Sequence, residues 1–189
     1  MDHKSESIEK TFSAKNSSDD FNTWLKKDYI SDELRTSLRK ANLLSVPMEQ
    51  FRGTQIRVFT AGTVDFLNYL RDNSTKMIQP EFCSEEKEYQ ELVLHNDLIV
   101  FGPYVLQNVI LPLFVNMIYD YIKSRIARKT AKTDMKLELV VVYRDNKSIN
   151  IKYEGPVDSF RETMKTIENI KEEDMDKSLP IETQKKEDK

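Results

Sequence analysis

The chain has few residues that could perform thiol or imidazole chemistry, since it contains one cysteine, Cys83, and two histidines. A catalytic thiol needs a nearby base, and His95 with Asn96 or Asp97 is the one conceivable partner set. The glutamates on both sides of Cys83 would raise the pKa of its thiol and so disfavour the reactive thiolate. The sequence therefore predicts a structural or surface cysteine and no catalytic residue.

Metal and cofactor chemistry have no better support in the sequence. His3 lies in a polar segment, and His95 has no histidine or cysteine at ligand spacing. The carboxylates between Glu85 and Glu91 fit a solvated helix face better than an acid pair, because no apolar pocket pattern surrounds them. None of the four glycines forms a P-loop or a dinucleotide fingerprint. We predict neither a metal nor a cofactor.

The overall composition bounds the class of protein. The 189 residues are enough for one ordinary domain; 39% are hydrophobic and 32% are charged. These values suggest ordered apolar segments diluted by charged tails. With 29 Lys plus Arg against 32 Asp plus Glu, the net charge is −3, which excludes a uniformly basic surface for nucleic acid.

Charge is distributed very unevenly along the chain. The segment from Leu98 to Tyr119 contains no charged residue. Before it, residues 81–97 hold six acids and one lysine; after it, residues 123–136 hold six basic residues and one acid. A helical projection of the segment shows no continuous polar face, so we predict a central apolar helix over about 98–122 that must be buried or docked.

The surroundings of this helix leave three alternatives. It can be a core or oligomer-interface helix, a peripheral membrane contact, or a membrane span. Gln107, Asn108 and Pro112 inside the segment weigh against a span. The basic run 123–136 is explained by a solvated helix end, by attraction to anionic lipid, or by contact with nucleic acid.

The pattern of elements predicts an α+β fold. It has a small mixed N-terminal portion, a central apolar helix, and a C-terminal β-hairpin plus helix. The predicted organisation along the chain is a flexible N-terminal tail (1–17), a mixed α/β portion (18–96), the central apolar helix with its basic C-terminal flank (97–134), the β-hairpin plus helix (135–170) and a charged disordered tail (171–189).

Individual elements follow from local patterns. Helices are expected after caps at Ser18 or Asp19, at Ser31 and at Gly62, and also over Glu85–Leu94. Short strands are expected over Leu43–Val46 and Gln55–Phe59, and a hairpin over Met135–Arg144 and Ser148–Tyr153. Gly155 and Pro156 open the last helix.

The leading functional hypothesis is a non-catalytic interaction or adaptor protein that docks through its central helix. The partner would be another protein, a second copy or an anionic membrane surface, with nucleic acid disfavoured. The residues predicted to form the interaction surface are the apolar Leu106, Val109, Ile110, Leu113, Phe114 and Met117 and the basic Lys123, Arg125, Arg128 and Lys129.

Two alternatives belong to other functional classes. One is a small enzyme, or the regulatory subunit of one, with a carboxylate and hydroxyl site that spacing does not reveal. The other is a nucleic-acid-binding accessory protein that uses the 123–136 basic run. The first 16 residues lack the apolar core of a secretory signal, which predicts a cytoplasmic protein, with a peripheral position at the inner face of the membrane as the membrane-bound form.

Overall fold

The chain has an α+β fold built on a mixed six-stranded sheet. The structure is a computed structural model that describes residues 10–49, 53, 56–92, 98–126 and 133–168. The strands of the sheet, in spatial order, are β1 (Thr11–Ser17), β8 (Ser148–Pro156), β7 (Asp134–Val142), β6 (Ile99–Gln107), β2 (Leu43–Ser45) and β4 (Pro80–Phe82). Strands β3 (Phe59–Thr60) and β5 (Glu91–Leu92) form a separate two-stranded sheet.

The predicted C-terminal hairpin is confirmed. Strands β7 and β8 pair antiparallel from Asp134 opposite Pro156 to Val142 opposite Ser148. Asn146 in the connecting turn has a φ of 63°, a left-handed conformation that asparagine tolerates. β7 lies inside the sheet, between β8 and β6, which explains why both of its faces are apolar.

The N-terminal residues behave differently from the sequence-based expectation. Residues 11–17, assigned to a flexible tail, form the edge strand β1, which pairs with β8 along its whole length. Backbone hydrogen bonds to a neighbouring strand can order a segment that has few large apolar side chains of its own. Phe12 and Ala14 of this strand pack against the main core.

The five α-helices of the described residues cover the sheet and create two cores. Helices α3 (Thr63–Asn73), α4 (Leu111–Ile126) and α5 (Val157–Glu168) share the larger core with side chains of β6, β7 and β8. Helices α1 (Phe21–Leu25) and α2 (Asp32–Leu38) pack through a smaller core that includes Trp24, Val105 and Val140. Since Val140 and Val105 alternate with residues of the larger core, the two cores lie on opposite faces of the sheet.

The uncharged segment is a strand followed by a helix. Residues 99–107 form β6, Asn108–Ile110 form a 3₁₀ turn, and only from Leu111 does the helix α4 begin. The prediction of one helix over about 98–122 is therefore wrong in its first half. β6 is buried on both faces by the two cores, so its sequence carries no polar stripe and resembles that of a buried helix. Pro112 lies in the first turn of α4, where its missing N–H costs no helical hydrogen bond.

A one-residue bulge in β6 turns two aromatic side chains toward the same core. Phe101 pairs with Leu137 and Tyr104 with Leu139, so three residue steps in β6 match two steps in β7. In a regular strand, residues three apart point to opposite faces; the extra residue restores the same face. Phe101 and Tyr104 both belong to the larger core as a result.

The remaining predicted elements divide between confirmed and corrected ones. The structure confirms β2 and the helices that begin after Ser31, Gly62 and Pro156. The first helix is also present, but its cap is Asp20 and not Ser18 or Asp19. The predicted helix over 85–94 is wrong: Glu86–Glu88 is a 3₁₀ turn and Glu91–Leu92 is β5. The predicted tail 171–189 lies outside the described residues. Within the described ranges, every helix is too short or too polar to cross a bilayer.

Candidate ligand-binding pocket

Most of the predicted apolar interaction surface lies inside the protein. Val109 is 63% exposed and Leu113 is partly buried against the core. The other four are buried in the larger core: Leu106, Ile110, Phe114 and Met117. These four side chains pack against the chain's own sheet and helices, so their apolar surface is not available to a partner.

The basic flank is largely paired with acids of the same chain. Lys123 contacts Asp158 at 2.5 Å. Arg125 contacts Asp65 at 3.2 Å. Arg128 and Lys129 lie outside the described residues. These exposed pairs add little to stability, but they lower the local positive charge that attraction to lipid or nucleic acid requires.

A cavity of about 260 Å³ opens where the start of α3, the start of β6 and the end of α4 meet. We call it the α3 pocket. Its walls come from three separate parts of the chain. The described residues that line it are Thr60, Ala61, Gly62, Thr63, Leu92, Leu98, Ile99, Val100, Phe101, Tyr104, Tyr121 and Arg125.

Two threonine hydroxyls at the start of α3 are hydrogen-bonded to each other. Thr63 Oγ1 donates to the carbonyl oxygen of Thr60 at 2.5 Å. The two hydroxyl oxygens lie 3.0 Å apart, and because the Thr63 proton is already used, Thr60 is the donor of that bond. Both hydroxyl protons are therefore engaged within the loop. Gly62 caps α3 with a φ of 80° and has no side chain to offer.

Tyr104, one of the residues that line the pocket, carries an unsatisfied buried hydroxyl. Its side chain is fully buried, and its hydroxyl has no hydrogen-bond partner among the described residues. Burial raises the pKa of this phenol, while the nearby backbone of Gly102 and side chain of Thr63 oppose the rise. The phenol therefore keeps its proton at neutral pH and is a hydrogen-bond donor. A buried donor without an acceptor costs about 1–3 kcal/mol, which a ligand oxygen would recover.

The charged groups around the pocket already have partners. Arg125 pairs with Asp65, and its guanidinium lies 4.5 Å from the centroid of the Tyr121 ring. Glu91 accepts hydrogen bonds from the backbone N–H of Gly62 at 3.2 Å and from a tyrosine hydroxyl, that of Tyr89, at 2.7 Å. The carboxylate of Glu91 thus takes the position at this helix end that an anionic ligand would otherwise occupy.

A second cavity, of about 280 Å³, lies on the opposite face of the sheet beside Trp24. The indole N–H of Trp24 also has no partner among the described residues. Three acidic residues line this cavity, Asp19, Glu49 and Glu138, and the two glutamates are each paired with a lysine. Since Trp24 is the only tryptophan of the chain, its indole N–H reports on this cavity separately from the α3 pocket.

Cys83 is confirmed as a buried residue in the smaller core. Burial, with a smaller contribution from Glu81, raises the pKa of its thiol to about 12. We expect labelling of Cys83 by iodoacetamide at pH 8 to be at least 100-fold slower in the folded protein than in 8 M urea, because the thiolate is scarce and shielded. Labelling at comparable rates in both conditions would contradict a structural role.

Sequence reasoning missed the α3 pocket because its residues have no common spacing. The signals that do exist are the glycines: Gly62 lies between the pocket residues Ala61 and Thr63, and Gly102 lies in the bulge between the pocket residues Phe101 and Tyr104. Within the part of the chain that the structure describes, no group of three or more His, Cys, Asp or Glu residues is placed to hold a metal ion. No family model, curated protein or solved structure matches the chain.

Proposed function

We propose that the protein is a non-catalytic binding protein whose ligand is a small organic molecule held in the α3 pocket. The observation that carries this proposal is the Tyr104 hydroxyl, a fully buried donor that has no acceptor among the described residues and that belongs to a residue lining an open cavity. A cavity with an apolar lining and a few placed polar groups is the usual form of a ligand site.

The polar groups of the pocket support binding better than catalysis. Its described lining contains hydroxyls and a guanidinium but no carboxylate, imidazole or thiol. Burial raises the pKa of Tyr104 and of Tyr121, so both phenols stay protonated at neutral pH and donate hydrogen bonds without accepting protons. The pocket therefore offers recognition without an evident acid–base pair.

The docking hypothesis is weaker than the pocket hypothesis, because the core of the protein uses the face of α4 that docking would need. Burial of Phe114 and Met117 leaves Val109 as the one strongly exposed member of the predicted apolar surface. Docking onto a protein, a second copy or a membrane stays a prediction, as does the cytoplasmic location. A nucleic-acid role has less support still, because the described cations of the basic run are paired with acids.

The proposal is tested with three single-ring probes of different charge: benzyl alcohol, benzoate and benzylamine. We expect at least one to bind with a Kd of about 1 mM, about −4 kcal/mol, as is ordinary for molecules of this size. In ¹H–¹⁵N NMR spectra at pH 7 the shifted amides are expected to be those of Gly62, Thr63 and Phe101. The indole N–H of Trp24, on the other face, is expected not to move.

A pair of tryptophan substitutions provides the matched control. Ala61 is exposed and lines the pocket, so Ala61→Trp is expected to fill its mouth and weaken probe binding at least tenfold. Met77 is 62% exposed and lies outside the lining, so Met77→Trp is expected to bind the probe normally. The proposal is wrong if none of the three probes binds, or if Ala61→Trp binds as well as Met77→Trp.

A further inference from the structure

The geometry points to an uncharged ligand for the α3 pocket: a molecule with an apolar body and a carbonyl or hydroxyl oxygen that accepts a hydrogen bond from Tyr104. This inference rests on the proposed function and adds the chemical class of the ligand. It follows from three properties of the described residues, which are the pairing of the charges, the state of the hydroxyls and the nature of the walls.

The pairing of the charges disfavours an ionic ligand. An anion at Arg125 would share the guanidinium with Asp65, which already neutralises it from a contact of 3.2 Å. An anion at the start of α3 would meet Glu91, which already accepts the Gly62 N–H. A cation would have to share one of these carboxylates with its present donor. A charge taken out of water without a new partner is costly, and this pocket has no unpaired opposite charge among its described residues to offer.

The hydroxyls indicate what the ligand must supply. The protons of Thr60 and Thr63 are engaged in bonds of 3.0 and 2.5 Å within their own loop. The buried hydroxyl of Tyr104 lacks an acceptor among the described residues. A neutral oxygen with a free lone pair satisfies this donor, whereas an ammonium group has only donors to present.

The walls and the volume set the body of the ligand. Two aromatic rings from β6 and one from α4, those of Phe101, Tyr104 and Tyr121, line the pocket together with aliphatic side chains. A volume of about 260 Å³ is slightly below the range of pockets that hold drug-sized molecules, so a single-ring or short aliphatic molecule fits and a nucleotide does not.

The charge of the ligand is tested by comparing the three probes on the unmodified protein at pH 7. Benzoate and benzylamine are ionised at this pH and benzyl alcohol is not, while the ring is the same in all three. We expect benzyl alcohol to bind at least fivefold more tightly than either ionised probe. If an ionised probe binds as tightly as benzyl alcohol, the pocket stands and the inference of a neutral ligand is overturned. If no probe binds, the proposed function fails with it.

The role of the hydroxyl is tested by a pair of matched substitutions. In Tyr104→Phe we expect benzyl alcohol to bind about fivefold more weakly and the melting temperature to stay the same or rise, because an unsatisfied hydroxyl is removed. Tyr153 is equally buried, but its hydroxyl donates to the carbonyl oxygen of Pro156 at 2.6 Å. Tyr153→Phe is therefore expected to lower the melting temperature and leave probe binding unchanged.

The two substitutions separate a ligand-binding hydroxyl from a structural one. A fall in the melting temperature of Tyr104→Phe comparable to that of Tyr153→Phe would show that the Tyr104 hydroxyl serves the fold, and would overturn the inference. Unchanged binding of benzyl alcohol to Tyr104→Phe would overturn it as well. Weaker binding at an unchanged or higher melting temperature is the result that supports it.

Discussion

Replacing Gly102 by alanine is expected to destabilise the protein by about 3 kcal/mol or more, a large part of the 5–15 kcal/mol that is usual for a domain. Gly102 has a φ of 91°, which strains any L side chain. In addition, a Cβ atom at this position would overlap the backbone carbonyl oxygen of Glu138 in the neighbouring strand. Because a strand in the middle of a sheet cannot move aside, strain and overlap add. Urea denaturation followed by circular dichroism measures the change in the free energy of unfolding.

Gly62→Ala is the control that separates backbone strain from overlap. Gly62 has a similar φ of 80°, but a Cβ atom there would meet no atom within 4 Å. We expect this substitution to cost only the strain, about 1 kcal/mol. Equal losses of stability in the two variants would mean that β6 and β7 tolerate a side chain between them, and that the close approach at Gly102 is not what fixes the bulge.

The sequence predicts the C-terminal part of this fold better than its centre. The β7–β8 hairpin has long strands, a turn with Asn146, and apolar alternation, and each of these signals is local. α5 has a strongly amphipathic pattern in which Phe160, Met164 and Ile167 are buried. Local signals of this kind do not depend on what the rest of the chain does, so they survive into the structure.

The first half of the uncharged segment, which is β6, was predicted as a helix because burial on both faces leaves no polar residues. Without polar residues, the spacing that distinguishes a strand from a helix is not visible. β6 contacts α4 through Leu106 and the smaller core through Val105, so consecutive residues are all apolar. The bulge between Phe101 and Tyr104 further shifts the alternation by one residue. In such a segment neither the two-residue period of a strand nor the 3.6-residue period of a helix is visible. Pairing with the neighbouring strands then determines that the segment is a strand.

The pocket illustrates a second limit of sequence reasoning. Thr63 and Tyr104 are 41 residues apart, and they line one pocket because α3 packs against β6. The spacing of the hydroxyl-bearing residues in the sequence does not predict that Thr63 and Tyr104 line the same pocket. What the sequence does contain is the cause of the geometry, since Gly62 and Gly102 adopt conformations that other residues avoid. The chain has four glycines in all, and each of them has a positive φ.

The second large effect is expected from Phe66→Ala, at a cost of about 3–5 kcal/mol. Phe66 is fully buried in α3, and its ring lies within 5.1–6.0 Å, centroid to centroid, of four other rings. Three of those rings line the pocket, those of Phe101, Tyr104 and Tyr121. Removing Phe66 leaves a void behind the pocket walls that the surrounding strands can close only in part. Thermal or urea denaturation measures the loss.

Val64→Ala is the matched substitution on the same helix. Val64 is 37% exposed, so its truncation is expected to change the free energy of unfolding by less than about 0.5 kcal/mol. At a low temperature at which the Phe66→Ala variant is still folded, we also expect it to bind benzyl alcohol more weakly. The rings that Phe66 supports would no longer be held against the ligand. A loss of under 1 kcal/mol with unchanged binding would mean that the walls are held by other contacts, and that α3 caps the core without shaping the pocket.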